Sequence, residues 1–369
     1  MLNEKILDEY NVVRNSVGLF DFSIEGKIKV SGNGRVDFIN DLVSNDIKKL
    51  EVNNGIYAAF LDKFGKVLSE CVIYKFENFI LINLNIIGKI NIIKKLKDEA
   101  PLVKSEIEDI TLKYGLFSLQ GPKSIELLKE IINDNLDLKN QYQCTIKKIT
   151  IKEKNNNNEN NNQLINNKTN ARTTSGTNSV GIEKNKNNII NNNKIEIIVT
   201  KNKRTTEDGY DIFVPASRYK EFKELILEKG KKYNLKIINN ETYNILRLEA
   251  KIPLYSIDFN QNNILPEITE KAISYEKGCF LGQEIVARVK SLAKGITAKK
   301  LMFVEIDSKE VPEKNSKIMK DNNEVGYITS AAFSPELNKV VALGFLNKGY
   351  YDPGSIVTIN NSKAIIKLL

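Results

Sequence analysis

The chain has 369 residues, of which 41% are hydrophobic and 27% are charged, and it contains no histidine. The composition is that of an ordinary globular protein, and the length favours two or three domains. The lack of histidine excludes imidazole general bases, imidazole metal ligands and histidine-ligated haem. Three cysteines are too few for a disulfide scaffold, which favours a reducing compartment.

The formal net charge of +9 favours anionic partners in general. Residues 153–194 carry six Lys/Arg and three Asp/Glu, so a segment that is predicted not to fold supplies three of these charges. The remaining excess is ordinary, and we do not expect nucleic acid to be the partner. A basic nucleic-acid module, the alternative, would show affinity that falls steeply with salt.

The sequence predicts no membrane partner. The most apolar stretch, residues 79–93, is interrupted by Asn83, Asn85 and Gly88, and acidic residues near the N-terminus argue against a transit peptide. We therefore expect a cytoplasmic protein, with the mitochondrion as the compartment if the source is eukaryotic.

The first predicted elements are a strand over residues 27–30 and a helix that follows it through a Ser-Gly-Asn-Gly turn. A second helix is predicted to begin at Pro122, since proline suits the first helical position. The apolar faces of these two helices consist of Val36, Ile39, Leu42 and Val43, and of Ile125, Leu128, Ile131 and Ile132.

An asparagine-rich insert is the clearest interruption, with 17 asparagines among the 39 residues 155–193. Such a segment cannot bury enough apolar surface to offset its ordering entropy, so it is predicted to be a disordered loop. Strands are predicted on both sides, over residues 145–151 and 195–200. The insert is therefore expected to lengthen a hairpin connection.

The last predicted elements change in character near residue 298. Before it, Ser217 is a plausible N-cap for a third helix that ends at Gly230. After it, short strands such as residues 340–345 and 355–359 are separated by glycine and asparagine turns, a pattern typical of a small antiparallel barrel. The sequence predicts an α+β body followed by a C-terminal β-barrel.

The densest cluster of chemically active residues surrounds Cys279, which has glycines on both sides of it within three positions. Lys277 precedes this cysteine, and Arg288 and Lys290 follow it. Nearby cations stabilise a thiolate, so the pattern indicates an activated thiol. The alternative is a buried structural cysteine beside a turn.

Two further segments hold candidate ligand contacts. Glu207 and Asp208 precede a glycine turn, where a carboxylate can accept paired N–H donors of a heterocycle such as a pterin. An ordinary acidic hairpin turn explains that segment as well. Arg247 lies among apolar neighbours and needs an anionic or hydrogen-bonding partner, which is either a ligand or an internal salt bridge.

Taken together, these segments resemble a known family. The Lys-Gly-Cys-Phe-Leu-Gly-Gln-Glu run at residues 277–284 is similar to the signature of the YgfZ-type folate-binding proteins, relatives of the glycine-cleavage T-protein that serve the maturation of iron–sulfur enzymes. The Leu-Arg-Leu-Glu-Ala run at 246–250 and the Glu-Asp-Gly-Tyr turn at 207–210 resemble those of the wider T-protein superfamily. The resemblance covers nearly the whole chain apart from the insert.

The resemblance implies a three-lobed cloverleaf that holds tetrahydrofolate in a central opening, followed by a C-terminal barrel. The body would span residues 1–290, with the insert at about 153–194, and the barrel would span residues 298–369. Folate contacts are expected from Glu207, Arg247, Tyr255 and Gln283. Cys279 and Lys277 would face the same cavity, and basic residues near the opening would suit the glutamate tail of folate.

The chain departs from the aminomethyltransferases of this superfamily at their Asp-Asp pair, which Ser69 and Glu70 replace. Glu70 supplies a carboxylate that is one methylene longer, and catalytic placement tolerates roughly an ångström or less. The loop that precedes Glu207 is also shorter, and the T-protein has no counterpart of the Lys-Gly-Cys motif.

The sequence therefore favours a tetrahydrofolate-binding accessory protein that supports iron–sulfur cluster assembly or repair through Cys279. Its partners would be folate and client iron–sulfur enzymes or assembly proteins, and no metal site is predicted. The alternative is a tetrahydrofolate-dependent aminomethyltransferase or a related one-carbon transferase. The candidate catalytic residues are Cys279 and Lys277 for the accessory role and Glu70 for the alternative.

Overall fold

A computed structural model describes residues 3–151 and 194–369 of the chain. The asparagine-rich segment at residues 155–193, predicted to be a disordered loop, lies outside the described residues.

The described residues form helices and strands in alternation. None of these helices is long and apolar enough to cross a membrane. The helices are α1 (Glu4–Asn15), α2 (Arg35–Leu42), α3 (Ile86–Glu99), α4 (Ser124–Ile132), α5 (Tyr219–Gly230), α6 (Asn240–Glu249) and α7 (Gln283–Ser291). The strands are β1 (Gly18–Asp21), β2 (Gly26–Ser31), β3 (Asn54–Leu61), β4 (Val67–Lys75), β5 (Phe79–Leu84), β6 (Glu106–Asp109), β7 (Tyr114–Gln120), β8 (Cys144–Thr150), β9 (Lys194–Lys201), β10 (Gly209–Pro215), β11 (Lys236–Ile237), β12 (Lys299–Ile306), β13 (Lys317–Lys320), β14 (Asn323–Ser334), β15 (Lys339–Asn347), β16 (Ile356–Ile359) and β17 (Ser362–Lys367).

The first lobe is built on a five-stranded sheet in the order β3-β4-β5-β2-β6. Residues of β4 alternate between buried and partly buried, as expected for a strand whose two faces meet different surroundings. Helices α2 and α3 supply Ile39, Ile92 and Leu96 to the apolar cluster on one face. The opposite face of β4 therefore points towards the centre of the molecule.

The second lobe is built on a six-stranded sheet in the order β11-β1-β7-β10-β9-β8. Strands β8 and β9 pair antiparallel, with Cys144 opposite Thr200 and Thr150 opposite Lys194. The two strands predicted on either side of the insert are thus confirmed as antiparallel neighbours. Helices α4 and α5 cover the sheet with apolar side chains that include Leu128 and Phe222.

The C-terminal residues form a closed antiparallel barrel in the order β12-β15-β14-β13-β16-β17. One apolar cluster connects the barrel to the rest of the chain, and it includes Tyr10 of α1, Val67 of β4, Leu246 of α6 and Phe303 of β12. The architecture is therefore α+β, with two sheet lobes and a barrel packed around a shared core, as the sequence predicts.

Helix boundaries show where local signals were insufficient. The helix predicted from Pro122 begins at Ser124, because residues 121–123 form a turn before it. The prediction of Ser217 as an N-cap was wrong: residues 216–218 form a 3-10 turn, and Arg218 caps α5 without a side-chain hydrogen bond. The segment around Arg247 is the helix α6.

Candidate active site

A cavity of about 300 Å³ lies where the first lobe meets the second lobe and the segment that follows α6. Its walls combine amide, carboxylate and guanidinium groups with aromatic rings. Polar and aromatic residues that line it include Glu25, Tyr57, Glu70, Asn83, Asn85, Tyr142, Asn202, Arg204 and Tyr243. The segment after α6 contributes Ala250, Lys251, Ile252, Pro253 and Leu254.

Glu70 faces this cavity because its neighbour faces the other way along β4. Ser69 is fully buried beneath α3, where a Cβ added to Gly88 would lie 2.0 Å from the Ser69 Oγ. Side chains alternate along a strand, so Glu70 extends from the opposite face. Its Oε2 accepts a hydrogen bond from the Tyr57 hydroxyl at 2.5 Å, and its Oε1 accepts one from the Tyr255 N–H at 2.9 Å.

The surroundings of Glu70 raise the pKa of its carboxyl group to near neutral pH. Burial is the main cause, and it raises the pKa of Glu70 from 4.5 to about 7. The hydrogen bonds from Tyr57 and Tyr255 oppose that rise, whereas the negative charges of Asp258 and Glu25 add to it. A carboxyl group with a pKa near the ambient pH is suited to general acid–base chemistry.

Arg204 lines the cavity, and several contacts hold its guanidinium in place. Its Nη1 lies 2.6 Å from the Glu25 Oε1, and its Nη2 lies 2.8 Å from Asp211 and 3.4 Å from the Asn83 Oδ1. The guanidinium carbon lies 4.1 Å from the centre of the Phe22 ring. Burial by itself lowers the pKa of Arg204, but Asp211 and Glu25 hold it well above its usual value.

Neither Arg204 nor Glu25 was predicted as a site residue from the sequence. Arg204 lies in the loop that precedes Glu207, a few residues after the predicted strand over residues 195–200, and an arginine in that loop is the signal that could have identified it. Glu25 carries no such signal, because its partner Arg204 is 179 positions away in the chain.

Glu207 is bonded to protein groups outside the cavity wall. Its Oε1 lies 2.7 Å from the Nη1 of Arg14 on α1, and the same guanidinium pairs with Glu249 at the end of α6. Tyr10 donates to Glu249 at 3.0 Å, which extends the network. Arg14 therefore links α1 both to the loop that carries Glu207 and to α6. Glu207 does not belong to the described set of cavity-lining residues.

Arg247 is also engaged by the protein itself, and its side chain is only 1% exposed. The Nη1 donates to the Asp258 Oδ2 at 2.8 Å and to the Ile252 carbonyl at 3.0 Å, while Nε donates to the Asn244 Oδ1 at 3.0 Å. Of the two alternatives that the sequence left open, the structure shows the internal salt bridge. The Arg247 Nη2 has no hydrogen-bond partner among the described residues, and its contact with folate stays a prediction.

Tyr255 contributes its backbone to the site, since its N–H donates to Glu70. Its ring packs edge-on against Phe259, and its hydroxyl accepts a hydrogen bond from Asn91 at 3.2 Å. Gln283 is the first residue of α7, behind Gly282, and its N–H donates to the Phe280 carbonyl at 3.1 Å. Neither side chain belongs to the described lining of the cavity.

Cys279 is exposed and lies in a separate surface cleft of about 790 Å³. Lys277 lines the same cleft, but its ammonium donates to the carbonyl oxygens of Asn40, Val43 and Asn45. Burial lowers the pKa of Lys277 to about 8. The structure brings Cys279 and Lys277 together in one cleft and Glu70 into another, so these three residues do not share a cavity.

The cations that follow Cys279 have their own partners. Arg288 pairs with Glu284 at 2.8 Å, and Lys290 pairs with Glu270 at 3.3 Å. The alternative of a buried structural cysteine is excluded by the exposure of Cys279. Its activation as a thiolate stays a prediction.

Comparison with known proteins agrees with this architecture. The GCVT N-terminal domain family matches residues 2–156, and the glycine cleavage T-protein C-terminal barrel domain family matches residues 299–367. The chain is 29% identical over 364 residues to an aminomethyltransferase of Thermoanaerobacter sp. (strain X514), which covers 96% of this chain and 85% of the relative. It is 28% identical over 368 residues to an aminomethyltransferase of Oceanobacillus iheyensis, over 98% of this chain and 87% of the relative.

A solved structure has the same fold. The glycine cleavage system aminomethyltransferase T from Bartonella henselae superposes with a TM-score of 0.77 at 18% identity, over 99% of this chain and 88% of the other. The fold and the two domain matches define a T-protein-like α+β protein with a C-terminal barrel. The chain belongs to the glycine-cleavage T-protein superfamily, whose aminomethyltransferases use tetrahydrofolate as substrate or cofactor.

The raised pKa of Glu70 predicts a pH-dependent stability difference. A carboxyl group whose pKa is higher in the folded state contributes stability below its unfolded value of 4.5, and loses that contribution as the pH rises through about 7. Glu70→Gln should therefore gain stability relative to the wild type as the pH rises. We expect the two proteins to differ little near about pH 4.5, and the variant to be more stable by about 3 kcal/mol near about pH 8.5.

Urea unfolding of both proteins at the two pH values measures this difference. If the free energies of unfolding of the wild type and Glu70→Gln differ by the same amount at both pH values, the raised pKa of Glu70 is contradicted.

Proposed function

We propose that the protein is a tetrahydrofolate-dependent one-carbon transferase of the aminomethyltransferase type, with its active site in the cavity around Glu70. The observation that carries the proposal is the placement of Glu70. It replaces the second aspartate of the family's Asp-Asp pair and extends into a cavity enclosed by two lobes and the segment after α6. The names of the relatives support the same reaction class.

The cavity suits the pterin end of tetrahydrofolate. Its volume of about 300 Å³ is at the lower end of the range for ligand pockets. This volume is enough for the pterin ring system but not for the whole tetrahydrofolate molecule. Asn83, Asn202 and Glu25 offer donors and acceptors to a heterocycle, and Tyr243 offers an aromatic wall. Lys271 and Lys203 also line the cavity, where they can attract the carboxylates of the tail.

When bound, tetrahydrofolate supplies a ring nitrogen that accepts a one-carbon unit. The ionised carboxylate of Glu70 can take up the proton that an amine loses as it bonds to carbon, and can stabilise positive charge that develops nearby. Tyr57 and the Tyr255 N–H fix the direction of that carboxylate. Ser69 takes no part, because it lies beneath α3.

Substituting Glu70 tests this proposal directly. Glu70→Gln keeps the size of the side chain but cannot take up a proton, so turnover should fall by about 10²–10⁴-fold while tetrahydrofolate affinity changes little. The wild-type rate should rise with pH through about 7, as the carboxyl group ionises. Ammonia release and methylene-tetrahydrofolate formation from an aminomethyl-loaded lipoyl carrier measure both effects.

Ser69→Ala is the matched control, because it alters the adjacent residue on the opposite face of β4; its turnover should stay close to that of the wild type. No turnover in the wild type, or equal turnover in Glu70→Gln, would contradict the proposed function.

The second candidate function is an accessory role in iron–sulfur cluster assembly or repair. The observation that favours it is the exposure of Cys279 in a cleft that is separate from the cavity. Lys277 anchors the loop that carries this cysteine through three backbone carbonyls. An anchored, exposed thiol is accessible to a client protein.

Replacement of Cys279 distinguishes the two functions. If the accessory role holds, Cys279→Ala should fail to restore iron–sulfur enzyme activity in a deletion strain, while tetrahydrofolate affinity of the purified protein stays within about twofold of the wild type. Cys144→Ala is the control, because that cysteine is buried between the two sheets. If Cys279→Ala fully restores iron–sulfur enzyme activity, the accessory role of the Cys279 thiol is excluded. The transferase proposal is unaffected by that result.

A further inference from the structure

A buried ion pair between Arg247 and Asp258 lies outside the cavity, next to the segment that carries the Tyr255 N–H. Arg247 is near the C-terminal end of α6, and the chain after this helix folds back over its guanidinium. Lys251 has a φ of 58°, and the Ile252 N–H donates to the Arg247 carbonyl at 2.8 Å. The Arg247 Nη1 then binds the Ile252 carbonyl and Asp258, so that it holds both ends of the returning segment.

Asp258 receives donors from three directions. Its Oδ2 accepts from Arg247 and from the Leu254 N–H at 2.9 Å, and its Oδ1 accepts from the hydroxyls of Thr329 at 2.8 Å and Ser330. Asp258 is 3% exposed, so these bonds replace those that water would make. The carboxylate thus ties α6, the segment 252–258 and the barrel strand β14 into one unit.

This unit ends at the cavity. Ile252, Pro253 and Leu254 form part of the cavity wall, and the peptide after Leu254 carries the N–H that Glu70 accepts. The Leu254 carbonyl, which is part of the same peptide as the Tyr255 N–H, accepts a hydrogen bond from the Asp258 N–H at 2.9 Å. The peptide is planar, so the turn that Asp258 closes through its side chain and its N–H sets the direction of the Tyr255 N–H.

We propose that Arg247 and Asp258 are a positioning pair, which hold the segment 252–258 so that the Tyr255 N–H donates to Glu70. The role of this pair in catalysis rests on the proposed function, whereas its effect on the hydrogen bond to Glu70 does not. The expected contact between Arg247 and the pterin stays a separate prediction, because the Arg247 Nη2 is buried without a hydrogen-bond partner among the described residues. Loss of the pair would free the peptide, weaken its bond to the carboxylate and favour the protonated form of Glu70.

Glu70 is surrounded by other groups that affect its titration, and they come from several elements. The groups that face it or act on it through charge are Tyr57, Cys71, Tyr142, Glu25, Asp258 and the Tyr255 N–H. Removal of the Asp258 charge would itself lower the pKa of Glu70, and would mask the effect of a lost hydrogen bond. A test must therefore keep every charge in place.

Arg247→Lys meets this requirement. Lysine keeps the positive charge, but it lacks the planar fork that binds Asp258, Ile252 and Asn244 together. The midpoint of the Glu70 titration, followed by carboxyl ¹³C NMR and assigned with Glu70→Gln, should rise by about one pH unit. Thr329→Val keeps the ion pair and removes one donor to Asp258, so a smaller rise in the same direction is expected.

Arg35→Lys is the matched control. Arg35 also binds backbone carbonyls, those of Gly32 and Glu77, but it lies at the start of α2 and not at the cavity. It should leave the titration of Glu70 unchanged. If Arg247→Lys does not fold, Thr329→Val decides the question by the same measurement.

Two results would overturn the proposal. One is an unchanged Glu70 midpoint in whichever of the two variants folds. The other is a loss of tetrahydrofolate binding in Arg247→Lys at an unchanged midpoint, which would make Arg247 a ligand contact. Because the titration does not use turnover, it distinguishes failure of this inference from failure of the proposed function.

Discussion

The centre of the molecule depends on how one carboxyl group is kept out of bulk water. A buried carboxylate is costly unless hydrogen bonds replace its hydration, and Glu70 receives two of them. One comes from Tyr57 on the neighbouring strand and the other from the Tyr255 peptide after α6. The position of this carboxyl group therefore depends on the first lobe, on α6 and, through Asp258, on the barrel.

The charged residues around the cavity follow the same rule. Arg204 is neutralised by Glu25 and Asp211, and Arg247 by Asp258. Breaking such a buried pair leaves an unpaired charge, which is far more costly than the net gain from forming the pair. The pairs therefore make the relative positions of the lobes specific, and they leave Glu70 as the cavity carboxyl group with a pKa near 7.

The sequence predicted those features that depend on neighbours along the chain. Apolar periodicity identified α2 and α4, and the strands on both sides of the insert were also predicted. Ion pairs could not be predicted in this way, because Arg14 and Glu207 are 193 positions apart and only the folded chain brings them together. The same limit applies to Arg247, whose partner lies beyond a turn that local propensity does not specify.

The division into two sites has the same origin. The family resemblance implied that Cys279 and Lys277 face the same cavity as the folate contacts. In the fold, the Lys277 ammonium binds the backbone at the end of α2, and this anchors the loop in a different cleft. The direction of one anchored side chain decides which cleft the cysteine occupies.

Titration calorimetry with tetrahydrofolate is the most direct test of the cavity as the folate site. Ala250 lines the cavity, and leucine at this position would fill part of it. The account predicts one site per chain in the wild type and an affinity at least about tenfold weaker in Ala250→Leu. Unchanged affinity in a folded Ala250→Leu variant, or no binding to the wild type, would contradict it.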